Sequence, residues 1–160
     1  MSVTEKKRLH LCFVCSGNIC RSPMAALVFR VHLEREGLAD VVRVSSAGTG
    51  PWHAGEPADP RAQGTLRAHG YPTDHVAAVV DGEHLDADLL LAADDGHLRF
   101  LRAKLDDPAH ARLLREFDPT AAEDAEVPDP YYGADDGFER VLAMIERSMP
   151  ELLLWVRQKL

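Results

Sequence analysis

The sequence contains little cysteine, and all of it lies in one short segment. The three cysteines among the 160 residues are Cys12, Cys15 and Cys20. Cysteines this close together do not form the disulfide framework that staples small secreted proteins. Long apolar runs are also lacking, since the run from Leu9 to Val14 is too short for a signal peptide or a membrane span. We therefore expect a globular chain in a reducing cytoplasm, without a membrane partner.

Metal-ligand spacing and excess positive charge are missing as well. The eight histidines are scattered with no His-x3-His pattern, so we predict chemistry without a metal or other cofactor. The net charge of −8 argues against a nucleic-acid partner. Lys6 to Arg8 is a short basic run, which we interpret as a solvated terminus. The length and the 46% hydrophobic content favour a single domain, residues 1–160, with its own core.

What the sequence does contain is a strand, a tight loop and a helix start in immediate succession. Leu9 to Val14 reads as a buried strand, and the spacing of apolar residues after Pro23 predicts a helix that ends near Gly37. Ser22 is a favoured N-cap residue, and Pro23 suits the first helical position. Such a junction gathers unpaired N–H groups and the positive end of a helix dipole. It predicts a site for phosphate or another oxyanion.

Two side chains in this loop indicate a reaction as well as binding. Cys15 lies where the N–H groups and the dipole favour the nucleophilic thiolate. Arg21, six residues later, can hold two phosphoryl oxygens with its planar fork. A passive core cysteine does not account for this combination, and the Gly-Lys-Ser/Thr of a nucleotide-binding loop is absent.

The rest of the chain alternates between strands and helices. We predict further strands at 41–47, 88–93 and, weakly, 112–115, and helices at 59–69, 98–105 and 138–156, with an irregular stretch at 71–86 and a kink at Pro150. This order predicts an α/β fold: a three-layer, doubly wound domain with a central four-stranded parallel sheet and the phosphate-binding loop after its first strand. Cys15, Ser46 and Asp94 all follow apparent strand ends, so we expect them on one rim.

Further candidate residues lie in two Pro-bounded loops. Asp129 lies between two prolines and is a candidate general acid that later activates water. Trp52 and His53, and the pair Tyr131 and Tyr132, are candidate walls of a pocket for an aromatic substrate, or simple packing residues.

Two segments carry a resemblance to a known family. Val14-Cys15-Ser16-Gly17-Asn18-Ile19-Cys20-Arg21-Ser22-Pro23-Met24-Ala25 resembles the signature of the low-molecular-weight protein tyrosine phosphatases, bacterial type, and Asp129-Pro130-Tyr131-Tyr132-Gly133 resembles their acid loop. The resemblance extends from Leu9 to the C-terminal helix. It implies hydrolysis of phosphotyrosine in protein substrates through a cysteinyl-phosphate intermediate. Cys15 would be the nucleophile, Arg21 the phosphate clamp and Asp129 the general acid and base.

The resemblance also implies roles for residues around these three. The loop bordering the active site would include Trp52 and His53. The phosphate-binding residues would be those of the loop itself: Ser16, Gly17, Asn18, Ile19, Cys20 and Ser22. Asn18 and Ser22, with Ser46 and His75, would form a hydrogen-bond network that holds the loop and the thiolate.

Several alternatives stay open at this point. The similar protein-arginine phosphatases carry threonine where this chain has Ile19, whose apolar surface suits an aryl ring better. A thiol-dependent arsenate reductase needs downstream cysteines, and none follows Cys20. A silent phosphate-binding or redox module is disfavoured by the joint presence of Cys15, Arg21 and Asp129. A protective Cys15–Cys20 disulfide under oxidant is a further hypothesis, and we expect a monomer.

Overall fold

The computed structural model describes residues 8–133 and 136–160, so Lys6 and Lys7 of the basic run and part of the expected domain lie outside the described residues. The elements, in chain order, are β1 (Leu9–Cys15), α1 (Arg21–Arg35), β2 (Val42–Gly48), α2 (Pro60–Ala68), α3 (Gly82–Leu85), β3 (Leu89–Ala92), α4 (Asp95–Arg102), β4 (Ala111–Leu113) and α5 (Gly137–Lys159). Two 3₁₀ turns, Pro108–His110 and Leu114–Phe117, flank β4.

The four strands form one parallel sheet in the order β2-β1-β3-β4. Strand β1 occupies a central position, where Cys12 pairs with Ser45 of β2 and with Leu90 of β3. Its side chains alternate between the two faces, as strand geometry requires. Leu11 and Phe13 join the larger core cluster, while Cys12 and Val14 join the smaller one. The predicted α/β architecture with a central four-stranded parallel sheet is confirmed.

Helices cover both faces of the sheet. Helices α1, α2 and α5 supply buried apolar residues to the larger cluster, in which the Phe13 and Phe29 rings meet edge to face at 5.6 Å. Helix α4 covers the opposite face with Leu98 and Leu101. Burial on both sides explains why β1 and β3 read as near-continuous apolar runs. Among the described residues, no helix is both long and apolar enough to cross a membrane.

Helix α1 starts two residues earlier than the sequence indicated. Cys20 occupies the N-cap position and Arg21 is the first helical residue, so the expectation that Ser22 caps the helix is wrong. The Ser22 hydroxyl instead bonds the Cys15 sulfur. Pro23 still falls in the first turn, where its missing N–H costs no hydrogen bond. The helix ends as expected, because Gly37 adopts φ +70° and Leu38 N–H closes onto the Leu33 carbonyl.

Two further differences concern local structure. The stretch expected to be irregular contains α3, which begins with a reciprocal capping box between Asp81 and His84. Ser46 was expected to follow the second strand, but it lies inside β2, which ends two residues later at Gly48. Pro150 lies inside α5, which continues as a helix to Lys159.

Candidate active site

Cys15 is the last residue of β1, and the segment from Ser16 to Cys20 curls back to the start of α1. Asn18, at the middle of the curl, has φ 59°, a left-handed conformation that asparagine tolerates better than most residues. The curl is fastened to the end of β2, where Thr49 N–H donates to the Cys15 carbonyl at 2.9 Å. The curl lies at the N-terminus of α1, so its backbone N–H groups can donate to an anion held there.

The sulfur of Cys15 is buried and has two hydrogen-bond donors beside it. The side chain is 3% exposed. Ser22 Oγ lies 2.9 Å from the sulfur, and the Ser22 backbone N–H points to it at 3.5 Å. Both groups can donate to a negatively charged sulfur atom.

The direction of the Ser22 hydroxyl is set by Asn18. The Asn18 side-chain oxygen accepts from Ala78 N–H at 2.9 Å, which fixes the amide orientation. Its Nδ2 therefore donates to Ser22 Oγ at 2.7 Å and to Ser46 Oγ at 3.0 Å. Because Ser22 Oγ accepts from Asn18, its own hydrogen is free to point at the Cys15 sulfur. The structure thus brings together the predicted network of Asn18, Ser22 and Ser46.

His75 completes this network from the outside. Its Nε2 lies 2.6 Å from the Asn18 carbonyl oxygen, so it donates to that carbonyl. Burial lowers the pKa of His75, although its hydrogen bond to Asn18 opposes the shift. The neutral imidazole is thereby favoured, and it still holds the donor that the Asn18 carbonyl needs.

Arg21 is buried, donates to two acceptors and faces a third oxygen at a longer distance. Its Nη1 donates to Asp94 Oδ2 at 3.1 Å and to the Val127 carbonyl at 3.0 Å. Its Nη2 lies 3.7 Å from Asp129 Oδ2, which is beyond hydrogen-bond distance. Burial alone would raise the pKa of Asp94, but the His97 backbone N–H, the His97 ring and Arg21 together hold it below its usual value. Asp94 therefore stays charged and fixes one end of the guanidinium.

His97 contacts Asp94, and no role was predicted for this histidine from the sequence. The two residues form a reciprocal capping box at the start of α4, and His97 Nδ1 accepts from Asp94 N–H at 3.3 Å. The other ring nitrogen, Nε2, lies 2.8 Å from Ser16 Oγ in the curl. Burial lowers the pKa of His97, with Arg21 adding to the effect and Asp94 opposing it. The only sequence signal is an Asp-x-x-His spacing after a strand, which also fits a plain helix cap.

A cavity of 340 Å³ opens above the curl. Its mouth carries the four aromatic or imidazole side chains that the sequence singled out. Trp52 is 67% exposed and Tyr132 is 88% exposed, while the Tyr131 ring meets Tyr132 edge to face at 4.9 Å and lies 6.4 Å from His53. Such open aromatic walls suit a flat ring that enters from solvent.

The cavity brings together most of the residues that the sequence named. Its lining consists of Cys15, Ser16, Gly17, Ile19, Cys20, Arg21, Trp52, His53, Asp129, Tyr131 and Tyr132. Asn18 and Ser22, expected to bind phosphate, are buried behind the curl and do not line the cavity. Burial raises the pKa of Cys20 to about 12. Within residues 8–133 and 136–160, no group of three or more acidic, histidine or cysteine side chains could hold a metal ion.

Comparisons with known proteins agree with this geometry. The family model described as low molecular weight phosphotyrosine protein phosphatase matches residues 10–160. A relative from Mycobacterium tuberculosis, low molecular weight protein-tyrosine phosphatase A, is 56% identical over 95% of this chain and 94% of its own. The Streptomyces coelicolor low molecular weight protein-tyrosine-phosphatase is 51% identical over 93% and 94% of the two chains.

A solved structure shows the same likeness in three dimensions. The crystal structure of a protein tyrosine phosphatase from Entamoeba histolytica superposes with a TM-score of 0.89 at 30% identity, covering 94% of this chain and 98% of that one. Sequence and fold therefore agree over nearly the whole length of the protein. This chain belongs to the low molecular weight phosphotyrosine protein phosphatase family.

Proposed function

We propose that this protein hydrolyses phosphotyrosine in protein substrates through a cysteinyl-phosphate intermediate on Cys15. The observation that carries the proposal is the convergence of three groups on one cavity. These are a buried sulfur with donors at 2.9 and 3.5 Å, the guanidinium of Arg21, and the carboxyl of Asp129 3.7 Å from that guanidinium. The three groups supply a nucleophile, an anion clamp and a proton donor.

The reaction then follows from the placement of these groups. The Cys15 thiolate attacks phosphorus, a sulfur–phosphorus bond forms, and the bond from phosphorus to the aryl oxygen breaks. Asp129 gives its proton to the departing oxygen, and the resulting carboxylate takes a proton from the water that later attacks the phosphoenzyme. In that second step sulfur leaves as thiolate, so the donors from Ser22 act on the leaving group. Inorganic phosphate is the product.

The aromatic mouth supports an aryl substrate. A phosphotyrosine ring would enter between Trp52 on one side and Tyr131 and Tyr132 on the other, with Ile19 below it. The loop residues that line the floor, Ser16, Gly17, Ile19 and Cys20, would present their backbone N–H groups to the phosphoryl oxygens. A guanidinium substrate would meet apolar Ile19 surface in place of a hydrogen-bond partner.

The remaining proposals concern the setting of the enzyme. We place it in the cytoplasm as a monomer that works without a metal or other cofactor and binds neither nucleic acid nor membrane. The net charge of −8 argues against a nucleic-acid partner. The three closely spaced cysteines, which do not form a disulfide framework, favour a reducing compartment.

Burst kinetics test the reaction and the two principal roles. Wild-type enzyme is mixed with p-nitrophenyl phosphate, phosphotyrosine peptide and phosphoarginine peptide, with Cys15→Ser and Asp129→Ala as controls. We expect a burst with both aryl substrates, no turnover in Cys15→Ser, and turnover about 100-fold slower in Asp129→Ala. Preference for phosphoarginine would contradict the Ile19 argument. Phosphate binding without any turnover would leave only a silent binding module.

A further inference from the structure

Arg61 contacts both the start of α2 and the acid loop, residues 129–133. It is the second residue of α2, and its side chain is 43% exposed. Its guanidinium grips Asp59 with two parallel hydrogen bonds, Nε to Oδ1 at 3.1 Å and Nη2 to Oδ2 at 3.0 Å. Two-point contacts of this kind fix the orientation of the guanidinium plane.

Asp59 in turn is fixed to the phosphate-binding loop. Its carboxylate is 7% exposed and caps α2 by accepting from Arg61 N–H at 2.8 Å. Its own N–H donates to the Ile19 carbonyl at 2.9 Å. Burial alone would raise the pKa of Asp59, but the hydrogen bonds and charge of Arg61 hold it below its usual value. Asp59 therefore presents a charged, immobile partner to Arg61.

Arg61 also contacts Tyr131 of the acid loop. Its Nη1 donates to the Tyr131 carbonyl at 3.1 Å. The Tyr131 ring lies 5.2 Å from the guanidinium carbon and the buried Phe138 ring lies 4.8 Å from it. Both distances are within cation–π range. Arg61 thus joins Tyr131 to the start of α2 through one hydrogen bond and one ring contact.

Tyr131 in turn holds the side chain of the candidate acid, Asp129. Its backbone N–H donates to Asp129 Oδ1 at 3.0 Å. That bond occupies Oδ1 as an acceptor, so the catalytic proton belongs on Oδ2, the oxygen that faces Arg21 at 3.7 Å. The direct chain of contacts is Asp59, Arg61, Tyr131 and Asp129.

We propose that Arg61 is a positioning residue for the general acid, acting through Tyr131 to hold Asp129 Oδ2 at the leaving-group oxygen. This inference rests on the proposed phosphatase function and adds a determinant outside the two sequence signatures. Arg61 itself touches neither the substrate nor the reacting atoms. Small displacements of an acid reduce proton transfer much more than they reduce substrate binding.

The test compares leaving groups that differ in their need for a proton. The p-nitrophenolate ion departs readily without protonation, whereas phenolate benefits strongly from it. We expect Arg61→Lys, which keeps the charge but loses the fork, to lower kcat/KM for phenyl phosphate about tenfold more than for p-nitrophenyl phosphate. The ratio of the two values isolates the phosphorylation step. A merely structural defect would lower both values equally.

Matched controls keep the result interpretable. Arg157→Lys alters an arginine of similar exposure, 48%, that pairs with Glu36 away from the cavity, and its ratio should equal that of wild type. The inhibition constant for inorganic phosphate should stay unchanged in Arg61→Lys, because the loop itself is intact. In an Asp129→Asn background, Arg61→Lys should not change the ratio further, since the acid through which it acts is absent.

A second variant addresses the fork without altering Arg61. Asp59→Asn keeps a favoured N-cap but weakens the grip on the guanidinium, and it should change the ratio in the same direction. An unchanged ratio in both variants, with a normal wild-type burst, would overturn the role of Arg61 alone. A wild-type enzyme without a burst would overturn the proposed function itself, so the two failures are distinguishable.

Discussion

Replacing Asn18 tests how the curl is held, because this side chain is fully buried and satisfies three partners. Its amide bonds Ala78 N–H, Ser22 Oγ and Ser46 Oγ, and its backbone is left-handed at φ 59°. Asn18→Ala removes three hydrogen bonds, each contributing about 1 kcal/mol. It also places alanine in a left-handed conformation, which costs about 1 kcal/mol more. The expected loss in the free energy of unfolding is therefore about 4 kcal/mol.

Two further substitutions separate the contributions. Asn18→Gly loses the same hydrogen bonds without the backbone cost, so it should be about 1 kcal/mol more stable than Asn18→Ala. Asn18→Asp keeps the acceptor for Ala78 N–H but cannot donate to Ser22 or Ser46. We expect it to slow catalysis strongly, since the hydroxyl of Ser22 then turns toward the new carboxylate and away from Cys15. It should also lower stability, because the carboxylate is placed at a fully buried position.

Urea denaturation followed by circular dichroism measures the stability differences, and burst kinetics under folding conditions measure the activity. A loss below about 1 kcal/mol in Asn18→Ala would refute the hydrogen-bond accounting. Asn18→Gly less stable than Asn18→Ala would refute the backbone argument. Full activity in Asn18→Asp would mean that Ser22 does not direct its hydrogen to the sulfur.

Four other predictions concern one residue each. Ser22→Ala should slow phosphoenzyme hydrolysis about 10- to 100-fold, because one hydrogen bond to a charged sulfur contributes about 1.5–3 kcal/mol. Rapid-quench measurement should show the phosphoenzyme accumulating, and an unchanged rate of its decay would contradict this prediction. Gly48→Ala should sharply reduce phosphate affinity, measured by titration, since a Cβ there would lie 2.5 Å from the Ser16 carbonyl oxygen. A Cβ at Gly64 in α2 would lie in open space, so Gly64→Ala should raise stability by about 0.5–1 kcal/mol, measured by thermal melts. The folded protein lowers the pKa of His75, so the unfolded chain binds the proton first as pH falls below 6.5. The contribution of His75 to stability is therefore full above that pH and declines below it. Because the pKa of His97 is lowered in the same direction, His75→Gln should reduce, and not abolish, the fall in the urea midpoint between pH 7 and pH 5.

The strand–loop–helix at Cys15 could be predicted because its signals are local. Three signals follow one another directly along the chain: an apolar run, a loop with Cys and Arg, and a helical apolar spacing after Pro23. The expectation that Ser22 caps α1 was wrong for the same reason, whereas its expected place in the network around Cys15 agrees with its hydrogen bonds. Its residue type favours a cap, but its hydroxyl is claimed by Asn18 and Cys15, and no propensity argument weighs those partners.

Two contacts between distant positions were not predicted from the sequence. His97 lies 81 positions after Ser16, and its capping role gives no hint of that contact. Arg61 reaches Tyr131 across 70 positions, and arginine after an N-cap Asp is unremarkable in a helix. Helix α3 was missed because four residues are too few to show a helical period.

The two terminal nitrogens of Arg21 have different partners, which explains how a chain of net charge −8 can hold a phosphoryl dianion. Nη1 is committed to Asp94 and to the Val127 carbonyl, which lock the guanidinium in the floor of the cavity. Nη2 faces Asp129 at 3.7 Å, too far for a hydrogen bond, so this edge can turn to an incoming oxygen without breaking an existing contact. Asp94 therefore orients the cation, while the curl supplies neutral N–H donors that no overall charge can cancel. Beyond about 10 Å salt screens the remaining carboxylates, so binding depends on these few donors and not on the charge of the surface.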